Sequence, residues 1–88
     1  MKEKRVKIVN TLGLHARPAM AFAKLAGQFR SEITVEKDGA EVNGKSILGL
    51  MMLVAPKGTE LVIRAEGPDE EEAVEQLARL VEDGFGEE

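Results

Sequence analysis

Hydrophobic and polar positions alternate near the start of the chain, and the period then changes several times. In RVKIVN, Val6 and Ile8 alternate with Arg5 and Lys7. That is the period of a half-buried strand, because successive side chains leave a sheet on opposite faces. The pattern predicts a strand over residues 4–9. After NTLGL the repeat lengthens: Ala19, Phe22, Ala23 and Ala26 recur at three and four residues within ARPAMAFAKLAGQF. This predicts a helix over about 16–27, with Gly27 as its stop. The period returns to two in EITVEKDGAEVN, where Ile33 and Val35 share a face and Asp38-Gly39 suits a two-residue hairpin turn.

NGKSILGLMML opens a short helix capped by Ser46, on which Ile47, Leu48, Met51 and Met52 form i,i+4 pairs. ELVIRAE, residues 60–66, sets Leu61, Ile63 and Ala65 on one side of a fourth strand. The last periodic segment, GPDEEEAVEQLARLVED, predicts a helix over about 70–83 with Val74, Leu77, Leu80 and Val81 as its buried stripe. Asp69 is its expected cap with Glu72 three residues on, and the acids that follow suit the positive end of a helix. Strand, helix, two strands, helix, strand, helix is the order of an α+β open-faced sandwich, an antiparallel or mixed sheet with helices on one face.

Eighty-eight residues suffice for one two-layer core and are too few for two, so residues 1–88 are expected to form a single domain. The chain has no cysteine and one histidine, which removes disulfides and makes a tetrahedral metal site improbable. No apolar run approaches the length of a signal core or membrane span, and a cytoplasmic protein without membrane insertion is expected. The formal charge of −4 hides a gradient. Residues 1–30 carry seven bases against Glu3, a balance of +6, while residues 66–88 carry ten acids against Arg79, a balance of −9. With three phenylalanines and no tyrosine or tryptophan to stack on bases, a protein or a phosphate is a better guest for the basic third than nucleic acid.

The one histidine stands in GLHARPA, where the loop turns into the first helix. Pro18 fits a first turn, whose amides would be unpaired in any case. The free donors of that turn favour an anion, and the same field modestly opposes a positive ring, which favours the neutral nucleophilic imidazole. Arg17 adds a guanidinium fork suited to phosphate oxygens. Taken alone, His15 and Arg17 are read more readily as a helix cap beside a solvated arginine. Ser46 is likewise explained by capping, and a helix of about six residues cannot bury four apolar side chains, so part of the Ile47, Leu48, Met51, Met52 set should form an exposed patch.

GLHARPA before a helix, with NGKSILGLMML some thirty residues later and KGTELVIRAEGPDEEEAVEQL at the end, resembles the HPr family of histidine phosphocarriers of the bacterial phosphoenolpyruvate-dependent sugar phosphotransferase system. The likeness extends over essentially the whole chain. It implies a four-stranded antiparallel sheet with three helices packed on one face, and a monomeric carrier that needs no cofactor and is not itself an enzyme. His15 would take a phosphoryl group on Nδ1 from enzyme I and pass it to sugar-specific IIA components, with Arg17 and the backbone amides of Ala16 and Arg17 steadying it. Ser46 would be the target of an ATP-dependent HPr kinase/phosphorylase. Ile47, Leu48, Met51 and Met52 would form the docking face for enzyme I and IIA, ringed by Lys24, Lys45, Arg17 and Lys2.

Leu12 stands where the family often has a small or polar residue, and Pro56 and the tail GFGEE are less usual; none of these is expected to touch His15, Arg17 or Ser46. Two other classes compete: a small phosphohydrolase or mutase with His15 as nucleophile, which lacks a second acid or base, and a binding or regulatory module, from a nitrogen-related branch or acting through Ser46 alone.

Overall fold

The computed structural model describes residues 1–87. Along the chain run β1 (Lys2–Lys7), α1 (Ala16–Ala26), β2 (Glu32–Lys37), β3 (Ala40–Asn43), α2 (Ile47–Met52), β4 (Glu60–Glu66), α3 (Glu70–Glu82) and a short 3₁₀ turn (Gly84–Gly86). The four strands form one antiparallel sheet in the order β1-β4-β2-β3. This is the α+β sandwich with three helices that the periodicity implied.

Register explains why one face is dry. Val6 lies opposite Leu61, while Ile63 meets Val35 and Ala65 meets Ile33 across the β2–β4 ladder. All six side chains are buried and join Phe22, Leu50, Leu77 and Val81 from the helices in one core. The other face is charged: Arg64 donates from Nε to Glu3 at 2.9 Å and from one terminal nitrogen to Glu36 at 2.6 Å and Glu41 at 3.0 Å. The hairpin turn follows the Asp-Gly reading, with φ of 51° at Asp38 and 87° at Gly39, the left-handed pair that matches the strand twist.

Four details differ from the sequence reading. The first strand spans Lys2–Lys7 rather than 4–9, because the charged residues Lys2 to Arg5 pair through their main chain with Ala65 to Val62, which no hydrophobic pattern signals. Gly27 ends α1 in the right-handed region, at φ −65°, so its glycine freedom is not used. Leu80 is only partly buried, and Ala73 and Ala78 complete the inward stripe of α3 instead. Asp69 makes no side-chain cap on α3.

Asp69 instead reaches the turn between α1 and β2, accepting from the Ser31 hydroxyl at 2.6 Å and from the amides of Ser31 and Arg30 at 3.0 and 2.9 Å. The two segments are in contact because Gly67 has no side chain: a Cβ there would lie 2.6 Å from the Ser31 Cα. Buried Ser31 thus meets a carboxylate that satisfies its hydroxyl and amide together. The anchored carboxyl is held below its usual range, first by the Ser31 hydroxyl. At the N-terminus of α3, Glu70 takes over the reach-back, accepting from the Gly67 amide at 3.0 Å.

Candidate functional site

The loop before α1 is built to present residue 15. Gly13 adopts φ +71°, and a Cβ there would stand 2.5 Å from the Ala55 carbonyl oxygen and 2.8 Å from the Pro56 Cα. Only glycine lets the loop lie this close to the segment after α2. The Leu14 amide then bonds the Ala55 carbonyl at 2.9 Å, and the Leu14 side chain is buried in the core. His15 follows in extended conformation as the N-cap residue of α1, its carbonyl accepting from the Ala19 amide at 2.9 Å. Its ring makes no cap hydrogen bond and is about one-third exposed, so it is available for chemistry. Ala16 and Arg17 are exposed in the first turn, Pro18 is buried, and no acid stands in that turn. The imidazole, two amide donors and a guanidinium therefore share one helix mouth suited to an anion.

Glu87, in the tail GFGEE, touches His15, contrary to expectation. The His15 Nε2 lies 3.2 and 3.3 Å from the two carboxylate oxygens of Glu87. Asn10, fully buried, donates its Nδ2 to Glu87 Oε1 at 3.0 Å and to the Gly13 carbonyl at 2.8 Å. The Glu87 carboxyl is held below its ordinary range, first by the hydrogen bond to His15, then, against some loss of solvent, by Asn10 and by the charges of His15 and Arg17. Pro56 backs the same loop through its approach to Gly13, whereas Leu12 is exposed. Neither Asn10 nor Glu87 was legible as part of the site: Asn10 reads as an ordinary turn residue, and Glu87 arrives from 72 positions away.

Ser46 caps α2, its hydroxyl accepting from the Gly49 amide at 3.0 Å. The face it introduces is more open than the i,i+4 reading required. Ile47, Leu48, Met51 and Met52 are all exposed, Leu48 and Met52 by about 70%. Leu50, fully buried, and Leu53 anchor the helix instead. A shallow groove of about 380 Å³ between α1 and α2 is lined by Met20, Lys24, Lys45 and Ile47, which brings both predicted lysines beside the apolar face. Lys45 is tethered there, donating to the Phe29 carbonyl at 2.9 Å. Lys2 stands elsewhere, beside Glu70 at the N-terminus of α3. Lys37, which no periodic signal marks, donates from its ammonium to the carbonyls of Leu53 and Val54 at 3.2 and 2.7 Å, closing the C-terminus of α2 with the charge that end favours. Among the described residues no cluster of three or more metal-ligating side chains occurs.

Comparison with known proteins accounts for this arrangement. The family model described as the PTS HPr component phosphorylation site matches residues 2–83. The chain is 48% identical over 87 residues to the phosphocarrier protein HPr of Neisseria meningitidis, covering 99% of this chain and 98% of that one. It is 46% identical over 83 residues to the HPr-like protein Crh of Bacillus subtilis, covering 94% and 98%. The crystal structure of HPr-C-His from Thermoanaerobacter tengcongensis superposes with a TM-score of 0.96 at 51% identity, covering 100% of this chain and 99% of that one. Fold and site thus define a phosphocarrier of the phosphotransferase system rather than an enzyme, which sets aside the phosphohydrolase alternative. The chain belongs to the HPr family.

Proposed function

We propose that the chain, as a single domain working in the cytoplasm, accepts a phosphoryl group from phosphorylated enzyme I on Nδ1 of His15 and delivers it to IIA components of sugar permeases. The observation that carries this reading is the placement of the only histidine at the mouth of α1, with its ring unused by the helix and Arg17 two residues on. In-line transfer between two nucleophiles demands positioning and charge stabilisation, and little acid–base chemistry. The amides of Ala16 and Arg17 and the Arg17 guanidinium are the groups that would hold the equatorial oxygens. The exposed Ile47, Leu48, Met51 and Met52, with Lys24 and Lys45 at the groove beside them, form the docking face; flexible methionine suits a surface that serves several partners. Phosphorylation of Ser46 by a dedicated kinase would place about −1.5 to −2 charges at the start of α2 and repel an acidic partner.

Incubation with enzyme I and phosphoenolpyruvate tests the reading. The intact protein should gain the mass of one phosphoryl group, stable in base and lost in acid, and the His15→Ala variant should gain none. Equal uptake by both proteins would remove His15 from the relay.

A further inference from the structure

We propose that Glu87 is a positioning residue for phosphoryl transfer: directed by the buried Asn10 amide, its carboxylate keeps the imidazole proton of His15 on Nε2 and leaves the lone pair on Nδ1. The role rests on His15 being the phosphoryl acceptor.

The geometry requires a hydrogen on Nε2, in the neutral ring and in the imidazolium alike. An ionised carboxylate only accepts hydrogen bonds, so the ring nitrogen at 3.2 and 3.3 Å from its two oxygens must carry the hydrogen. A neutral imidazole has one N–H, and the other nitrogen, Nδ1, is then the nucleophile. The carboxylate lies at the Nε2 edge of the ring. Its position is fixed from two sides. The Phe85 side chain is buried in the core at φ 59°, and the Glu87 amide bonds the Gly84 carbonyl at 3.0 Å, which pins the tail. Asn10 joins the Glu87 carboxylate to the Gly13 carbonyl, tying the tail to the loop that carries His15.

The contribution follows from the electron balance. As the Nδ1 lone pair forms the new N–P bond, the bond from phosphorus to the donor's own ligand breaks and its electron pair leaves with the donor. The ring keeps its Nε2 proton and becomes positive, and Glu87 faces that charge directly. In onward transfer the acceptor attacks phosphorus, the N–P pair returns to Nδ1, and the ring is neutral again with its proton where it began. No external acid or base is needed in either direction.

With a single histidine in the chain, ring-¹⁵N labelling reports one imidazole. In the wild type, the neutral ring should show Nε2 as the proton-bearing nitrogen; in Glu87→Ala the two tautomers should mix. In enzyme I assays driven by phosphoenolpyruvate, Glu87→Ala should lower kcat about tenfold, the scale typical of a lost orienting partner, with KM little changed. Glu87→Asp should recover part of the loss. A wild-type ring protonated on Nδ1, an unchanged kcat in Glu87→Ala, or a loss confined to KM would overturn the role. A wild-type protein that takes no phosphoryl group on His15 would overturn the carrier reading beneath it, while the ring spectrum would still show whether Glu87 sets the tautomer.

Discussion

At the scale of residues, the work is divided between groups that face the anion and groups that hold them. Arg17 is exposed in the first turn of α1 and, in the proposed relay, is of the first kind. Its fork matches phosphate oxygens in a way a lysine cannot reproduce. Arg17→Ala should slow transfer from enzyme I by about a hundredfold, the usual scale for losing one charge-stabilising donor, and Arg17→Lys should fall between that variant and the wild type. Stability should stay within about 0.5 kcal/mol in both. Stopped-flow transfer kinetics and thermal melts check the two halves, and equal rates in all three proteins would place Arg17 outside the site.

Asp69 holds the turn between α1 and β2, and its anchoring has a pH signature. Its carboxyl is depressed in the folded protein, chiefly by the Ser31 hydroxyl and the Arg30 amide. A depressed carboxyl contributes stability above its unfolded pKa, about 3.9, which is lost as pH falls through the lower folded value. Asp69→Asn should therefore melt earlier than the wild type at pH 7, with the gap narrowing in strong acid. A gap independent of pH would contradict the assignment.

Among the elements, α2 separates fold from function most cleanly. Leu50 is fully buried and Leu48 about 70% exposed, two positions apart on one short helix. Leu50→Ala should cost about 2–5 kcal/mol of stability. Leu48→Ala should leave stability within about 0.5 kcal/mol and weaken binding to enzyme I by about tenfold, as an anchor in a docking face does. Denaturant titration and calorimetry distinguish the two. Ser46→Ala should remove about 1 kcal/mol of cap energy, whereas Ser46→Asp should weaken enzyme I binding and leave the circular dichroism spectrum unchanged.

The same element shows how far a sequence can be read. Periodicity disclosed that α2 exists and that Ser46 caps it, because both are local properties. It did not disclose that Leu50 is the anchor, because six residues give too short a stripe to orient. The Asp-Gly turn and the mouth of α1 were legible for the same local reason. The role of Asp69 is not legible because its competing partner, Ser31, lies 38 positions away, and that of Glu87 is not because His15 is farther still. Long-range polar contacts leave no period in a sequence.

For the whole molecule, the charge gradient becomes a spatial arrangement. Part of the N-terminal positive charge is met by acids: the terminal ammonium lies 3.1 Å from Glu70, and Lys4 and Arg5 lie 3.9 Å from Glu75 and Glu60. Lys24 and Lys45 line the groove beside the apolar face, Arg17 stands near Glu87 at the mouth of α1, and acids of α3 line a hollow from Pro68 to Arg79. An acidic partner would be steered toward the face that carries Lys24 and Lys45. The association rate with enzyme I should fall several-fold as ionic strength rises and the Debye length shrinks from about 10 Å at 0.1 M to about 3 Å at 1 M. A rate insensitive to salt would contradict steering.

The central claim is that one imidazole nitrogen carries the phosphoryl group. Phosphorus NMR of ring-¹⁵N-labelled protein, charged by enzyme I and phosphoenolpyruvate, tests it most directly. The account predicts a single phosphoramidate resonance coupled to Nδ1 of His15 and absent from His15→Ala. A phosphorus bonded to Nε2, a phosphate ester on a hydroxyl, or a signal that survives in His15→Ala would contradict it.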